Sequence, residues 1–487
     1  MDYALLIANF SKEHSGWSRQ RLLHECLRTA IRTGKLSAGT RLLATRQLAA
    51  DLGIARNTVL YAYEQLATEG YVHSDRRGTI VVDINVVQAQ TAHPATLVHP
   101  GLSHRAQIQT PVLPDAALLC AFAPGVPSLA DFPADVWRRL LDRAWRSTTV
   151  AQLNYGDPAG EPLLRKAIAD HLRASRGVIC ESSQVFITDG TQSSLDLCAH
   201  VFADVGDLVW MEDPGYKGAL TAFHAAELNV RPIAVDADGI APVVTDWRNH
   251  PPKLIYVTPS HQFPLGSVLS LARRMALIEH TRMAGALIIE DDYDSEFRHD
   301  GPPLPAMQGL MNDAPVVYLG TFSKTMFPAL RIGFMIVPRS LMEPVTRLLS
   351  QSSPRGRSAD QLALAEFLRT GQFAMHLRRM RRLYRQRRDS LEMALERHVG
   401  TLGKVYGGSA GMHLALFLDE SISDILVCTE ALRQGIVVHA ISAHVIGTYT
   451  PAWNGLVLGY AQVPAEQVEG TIKKLTTIIK KVGKFDR

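Results

Sequence analysis

Lys324 stands within "GTFSKTMFPALRIGF", residues 320–334. A lysine ammonium is a poor nucleophile until its pKa is lowered; a buried site holding an aldehyde does this and traps the amine as a Schiff base. The neighbours suit that chemistry. The lysine follows an apolar run that reads as a strand, Thr321 and Ser323 supply hydroxyls, and Arg331 is a fixed cation for a phosphate. A Ser-Lys pair alone is more often an exposed loop. The arginine seven residues on, with Gly320 and Gly333 framing the segment, makes the pattern far more specific.

Three upstream segments add matching parts. "ITDGTQSSLDL" (187–197) reads strand, turn, helix, so the backbone N–H groups of Thr191 and Gln192 would face an anion at a helix N-terminus. "MEDPGYKG" (211–218) follows another strand and supplies Tyr216, an aromatic able to stack on a pyridine ring. "IIEDDYDSEF" (288–297) places acids immediately after a buried strand, where a carboxylate can pair with a protonated ring nitrogen. Taken singly, these are a capped helix, a packing tyrosine and a solvated acidic loop. The position of the acids at a strand's C-terminal end, where α/β proteins bind ligands, argues against the last of these.

Other residues point to a polyanion. The first eighty residues read as three helices and a short hairpin. The first helix holds Leu22, Leu23, Cys26, Leu27, Ala30 and Ile31 at helical spacing; the second runs from about Thr45 to Leu52, and the third begins near Arg56. Tyr71–His73 and Thr79–Val82 flank the turn Ser74–Gly78. In a helix-turn-helix the N-terminal residues of the recognition helix meet base edges, here Arg56, Asn57 and Thr58. Arg46 begins the preceding helix, and the tip Arg76-Arg77-Gly78 would let a wing approach a minor groove. Residues 17–78 carry a net charge of +5, leaving −1 for the rest of the chain.

The elements that must position these groups follow from the 487 residues, too many for one ordinary core. Residues 1–83 form the winged helix-turn-helix, 84–118 lose periodicity and read as a linker, and 119–487 alternate strands and helices. The last stretch divides into a large part, about 119–375, and a small part, about 376–487. The apolar runs 185–188, 208–211, 254–257, 286–289 and 316–319 suit a mostly parallel sheet buried on both faces. The fold class is multi-domain α/β. No apolar run is long enough to span a membrane, and the N-terminus lacks a basic signal region, so a cytoplasmic location is expected. Five scattered cysteines and the lack of HExxH spacing give no reason to expect a metal.

Residues 45–82 resemble the GntR-type winged helix, with Leu43-Ala44 in place of the Pro-Ser often seen before the second helix. The four later segments, in their order, resemble fold-type I aminotransferases. The whole chain is similar to the MocR family of pyridoxal 5′-phosphate (PLP)-dependent GntR regulators. The resemblance implies that Lys324 carries the PLP Schiff base, Asp291 pairs with the ring nitrogen, Tyr293 reaches the ring hydroxyl and Tyr216 stacks on the ring. It implies that Thr191, Gln192, Thr321, Ser323 and Arg331 hold the phosphate. In "TPSHQFPLG" (258–266) Phe263 occupies the place of the aminotransferase asparagine, so His261 or Gln262 is expected to contact the cofactor instead. A homodimer reading two half-sites on double-stranded DNA, with PLP or an amino compound as effector, is also implied.

The chain departs from that pattern near its end. In "NGLVLGYAQV" (454–463) Val457 falls where an aminotransferase keeps the arginine that grips a substrate carboxylate, and Tyr460 matches the aromatic after it. Losing that bidentate contact, worth about 1.5–3 kcal/mol, disfavours ordinary transamination and a GABA-like effector, unless Arg355 or Arg357 compensates. PLP itself then becomes the favoured signal, in control of vitamin B6 synthesis or salvage. Sensing of an amino compound at Lys324, a working aminotransferase with a DNA module, and an architectural DNA-binder with a dead cofactor fold are the alternatives. Seven arginines between 376 and 389 read either as a salt-bridged helix face or as a further phosphate-binding surface.

Overall fold

A computed structural model describes residues 2–14, 16–75, 78–83, 101, 103, 105, 120–301, 304–352, 356–447 and 453–485. It divides into two compact units, Met1–Gly101 and Leu102–Arg487. Apart from residues 101, 103 and 105, the expected linker at 84–118 lies outside the described residues.

The first unit contains α1 (Tyr3–Glu13), α2 (Arg19–Arg32), α3 (Thr45–Leu52), α4 (Arg56–Thr68) and the hairpin β1 (Val72–Asp75) and β2 (Gly78–Val81). Leu23, Leu27, Leu48, Val59, Leu66, Val72 and Val81 share one core, so every one of α2–α4 and both strands contribute to it. Gly53 (φ +60°) ends α3 in the left-handed region, where a residue without Cβ is unstrained. Tyr63 on α4 donates to the Leu43 carbonyl at 2.9 Å, fixing the recognition helix against the chain entering α3. The sequence reading missed α1. Its start is set by Asp2, whose side chain accepts from the Leu5 N–H at 3.0 Å, and Tyr3 anchors it in the core. The strands also take in Ser74, Asp75 and Gly78, which were expected in the turn; the Ser74 and Thr79 hydroxyls pair across them at 3.0 Å.

The second unit is built on an eight-stranded sheet: β3 (Val185–Thr188), β4 (Leu208–Asp213), β5 (Asn229–Asp236), β6 (Gly239–Ile240), β7 (Leu254–Val257), β8 (Leu287–Asp292), β9 (Val316–Thr321) and β10 (Gly333–Ile336). Their order is β3-β10-β9-β8-β7-β4-β5-β6. The stretch from β9 to β5 is parallel, while β10 runs antiparallel to both its neighbours. A second, antiparallel sheet holds β11 (Gly403–Tyr406), β12 (His413–Leu418), β13 (His439–Ala440) and β14 (Gly455–Gly459) in the order β11-β12-β14-β13.

One expectation is corrected where it matters most. The acids thought to follow a strand are its last three residues: Glu290, Asp291 and Asp292 all belong to β8 and all are buried. A strand alternates its side chains, so the middle carboxylate leaves one face and its neighbours the other. Glu290 accepts from the N–H groups of Met307 (2.9 Å) and Gln308 (3.1 Å). Asp292 accepts from Arg176 Nε at 2.9 Å and from the Tyr318 hydroxyl. Arg176 also donates to Ser260 and to the Leu304 carbonyl. Arg176→Ala therefore strands a buried carboxylate. A loss of about 3–5 kcal/mol is expected, read as a lower denaturation midpoint; unchanged stability would show that Tyr318 alone satisfies Asp292.

Candidate functional site

At the C-terminal edge of the parallel strands lies a cavity of about 190 Å³. Adjacent β8 and β9 bring Asp291 opposite Leu319, and the chain leaving β9 carries Ser323 and Lys324 to the same edge. Lys324 Nζ donates to the Gly125 carbonyl at 2.7 Å. A Cβ at Gly125 (φ +74°) would lie 3.1 Å from that nitrogen, so glycine is what lets the amine sit there. Burial lowers the Lys324 pKa, with Arg331 adding to the effect and Asp294 and Asp291 opposing it. The amine is thereby moved toward its nucleophilic, neutral form.

Asp291 Oδ2 accepts from the Tyr256 hydroxyl at 2.8 Å, while Oδ1 has no hydrogen-bond partner among the described residues. Burial pushes this carboxyl up to about 7; the Tyr256 bond lowers it, Asp292 raises it and Lys324 lowers it. A buried acid with one open oxygen fits a cationic N–H arriving in the cavity.

The opposite end is made for an anion. Thr191 and Gln192 begin the helix Thr191–Phe202 directly after Gly190 (φ +98°). A Cβ at Gly190 would lie 3.4 Å from the Arg331 guanidinium, which therefore comes close over the backbone of that turn. Arg331 itself is left-handed (φ +49°, ψ +44°), a strained backbone for an arginine of the kind that clusters at ligand sites. The Arg357 side chain donates to the Leu330 and Arg331 carbonyls and braces that turn. Thr321 and Ser323 complete this side of the cavity, and Tyr216 meets Phe263 edge-on, with ring centroids 5.8 Å apart.

The structure thus brings Thr191, Gln192, Tyr216, Asp291, Tyr293, Thr321, Ser323, Lys324 and Arg331 around one space. Two expected residues stand elsewhere. Phe263, not His261 or Gln262, forms the wall. The Gln262 amide is used by the Pro214 and Phe263 carbonyls (2.8 and 2.7 Å), which holds the loop together. His261 lies behind the wall, its Nδ1 3.0 Å from Asp294 Oδ2 and its carbonyl accepting from Tyr293 at 2.9 Å. With His413, this His-Asp pair forms a buried group of metal-ligating types, which the sequence reading did not foresee. Gly125, Tyr256, Thr258, Met412 and His413 were also missed. Tyr256 could have been found, since it nears the C-terminal end of β7 just as Asp291 does of β8.

Val457 is fully buried in β14, packed with Leu265, Ala415 and Ile441. Tyr460 donates to the Gly411 carbonyl at 2.6 Å. Among the described residues lining the cavity, the Lys and Arg side chains are Lys324 and Arg331. Arg355 lies outside the described residues, and Arg357 is committed to the Arg331 turn. A larger cleft of about 1310 Å³, lined by Lys253, Leu287 and Val316 near the opposite ends of the strands, holds none of the expected groups.

In the first unit, Arg56 and Asn57 are exposed in the first turn of α4, Thr58 is half-buried, and Arg46 is exposed in the first turn of α3. Arg56 Nε approaches Thr45 Oγ1 at 3.4 Å, bringing the two helix starts together. Gly78 (φ +129°) begins β2, and Arg76 and Arg77 lie outside the described residues. Arg41 was missed: it bridges to Ile80 beside the wing, and its side chain passes within 3.6 Å of where a Gly78 Cβ would be.

Residues 21–82 match the family of bacterial regulatory proteins of the gntR type, and residues 125–475 match aminotransferase class I and II. The probable rhizopine catabolism regulatory protein MocR of Rhizobium meliloti is 39% identical over 462 residues, covering 93% of this chain and 92% of that one. The chain belongs to the MocR family of GntR-type transcription regulators. Another relative, the pyridoxine biosynthesis regulator PdxR of Corynebacterium glutamicum, is 31% identical over 468 residues, covering 96% of this chain and 97% of its own. The α-aminoadipate aminotransferase LysN of Thermus thermophilus, solved with N-(5′-phosphopyridoxyl)-L-leucine, superposes with a TM-score of 0.71 at 25% identity, over 79% of this chain and 98% of that one. Membership of the MocR family makes PLP the cofactor, carried by a fold-type I aminotransferase domain. No helix among the described residues is long and apolar enough to cross a membrane.

The open oxygen of Asp291 gives a pH test without cofactor. A carboxyl raised from about 3.9 unfolded to about 7 folded binds more protons in the native state, so its contribution to stability is lost as pH rises through that window. In the cofactor-free protein, Asp291→Asn should gain stability relative to wild type between pH 4 and pH 7, by denaturation midpoint. A difference that stays flat with pH would show that Asp291 is not the titrating group.

Proposed function

We propose that this MocR-family chain is a PLP-responsive transcription regulator controlling vitamin B6 synthesis or salvage. The observation that supports the reading is a cavity gathering the expected cofactor-holding side chains, combined with Val457 buried where a carboxylate-gripping arginine would stand. PLP supplies an aldehyde and an electron-withdrawing ring when bound. The buried Lys324 amine would hold the cofactor covalently through that aldehyde. The Gly125 carbonyl holds that amine in place; Asp291 would meet the protonated ring nitrogen, Tyr293 the ring hydroxyl, and Tyr216 would stack on the ring. Thr191, Gln192, Thr321, Ser323 and Arg331 would hold the phosphate. Residues 1–83 read the operator, 84–118 link, and 119–487 sense, within the cytoplasm where the DNA is.

A homodimer fits the surface of the second unit. Trp145, Val150, Leu153, Tyr155 and Leu163 are each more than 60% exposed within nineteen residues, an apolar face of the kind that marks a protein interface. Arg331 is likewise exposed although it lines the cavity, leaving room for a partner to finish the site.

A second reading, an amino compound sensed by exchange at Lys324, is favoured by one observation: the 39%-identical relative is named for a catabolic function. Titrating operator binding with PLP and with amino compounds separately decides between them. Response to PLP alone supports the first reading; response only to an amine added to PLP-loaded protein replaces it with the second. Lys324→Ala should lose the visible Schiff-base band and the response while still binding DNA; a persistent band would show another lysine holding the cofactor.

Arg56→Ala should weaken operator binding by about 1–3 kcal/mol and relax specificity at one base pair. Equal loss on mixed-sequence duplex would mark Arg56 as a phosphate contact instead.

A further inference from the structure

The long helix Gln372–His398 carries the seven arginines between 376 and 389, and the structure separates them into two groups. Arg387 and Arg388 are buried and internally satisfied. Arg387 donates to Ser128 Oγ at 3.0 Å and to the Ala461 carbonyl, and pairs with Asp131 at 3.3 Å. Arg388 pairs with Asp300 and Asp389, both at 2.7 Å, and donates to the Gly408 carbonyl. The other five, Arg378, Arg379, Arg381, Arg382 and Arg385, are exposed.

Arg381, Arg382 and Arg385 line a groove of about 460 Å³ together with Arg298 from the turn beside the helix. Arg381 donates one N–H to the Glu296 carbonyl, and Arg385 one to the His299 carbonyl. These bonds fix both guanidinium groups and leave the rest of each fork without a protein acceptor among the described residues. Arg298 Nε is buried and has no partner at all there. The carboxylates near the groove are outnumbered by its cations. Asp389, on its rim, and Asp300 both pair with Arg388, while burial pushes the nearby Glu296 carboxyl up, away from its charged form. Four guanidinium groups facing one rim carboxylate repel one another until an anion arrives.

We propose that the Arg298–Arg381–Arg382–Arg385 groove binds the phosphate backbone of duplex DNA, as a contact separate from the winged helix. The arrangement is linear: side chains three and four residues apart on a helix stand about 5–6 Å apart, and exposed Arg378 continues the row one turn before Arg382. A row of cations suits a polymer of phosphates better than one free phosphate ester. No base edge is read here, so the contribution is independent of sequence and sensitive to salt. The inference rests on the DNA-binding reading of the first unit.

The test uses the full PLP-loaded chain, a mixed-sequence duplex and salt from about 50 to 200 mM. Two triple variants are compared with wild type, Arg381, Arg382 and Arg385 all changed to Gln, and the same three changed to Lys; the visible cofactor band checks folding in each. The Gln variant should show a plot of log affinity against log salt shallower by about 2–3, and the Lys variant should recover most of that slope. Wild-type slope and affinity in the folded Gln variant would overturn the proposal while leaving the winged-helix reading intact. Wild-type protein that binds no duplex even at low salt would overturn both. Inorganic phosphate bound at these arginines, with the duplex slope unchanged, would mark a small-anion pocket and overturn the backbone assignment. Should the Gln variant lose its band, the Lys variant with the opposite check, Arg382→Glu alone, decides: an unchanged slope in Arg382→Glu overturns the proposal.

Discussion

Burying a carboxylate is expensive unless its oxygens are met by donors, and this protein buries three in succession at the end of β8. Strand alternation sorts them. Glu290 and Asp292 turn to the side where backbone amides and Arg176 wait, and they tie the strand end to residues 304–308 and to the helix Pro162–Arg176. Asp291 turns the other way and, among the described residues, receives Tyr256 alone. The fold ties two acids to neighbouring elements and holds the third at the cavity with its Oδ1 unmet among the described residues. Around the same cavity stand the amine of Lys324 on the next strand's exit and the anion-binding turn at the far end.

The two halves of the chain solve different electrostatic problems. The cofactor cavity sets opposite charges at its two ends, a buried carboxylate at one and the exposed Arg331 at the other. The winged helix leaves Arg46, Arg56 and Asn57 in solvent, where charge attracts a polyanion at long range. The arginine-rich helix does both within fourteen residues. Its buried arginines bolt it to Asp131, Asp300 and the Ala461 carbonyl, and its exposed ones lie outward.

What could be read from the sequence was what is local. Lys324 and Arg331 share one loop, Thr191 and Gln192 one helix start, and Arg56 to Thr58 one turn, so spacing alone placed them. The five apolar runs became β3, β4, β7, β8 and β9 for the same reason. The misses were contacts across long separations. Gly125 meets Lys324 from 199 positions away, and Tyr256 reaches Asp291 on the neighbouring strand from 35 positions away. His261 and Gln262 were misjudged because the loop's own hydrogen bonds, invisible in a linear string, turn Phe263 inward and keep its neighbours behind. The arginine run could not be divided by inspection, since its two kinds of arginine differ only in what faces them.

The setting of Val457 has a consequence for how the family could change its trade. A guanidinium placed there would enter a dry cluster of Leu265, Ala415 and Ile441, with no acid among those neighbours to receive it. A buried, unpaired cation costs several kcal/mol. Recovering a grip on amino-acid carboxylates therefore takes more than one substitution: the strand's surroundings must be opened to water first. The closed cluster thus fixes the chemistry open to this strand as firmly as the residues that line the cavity.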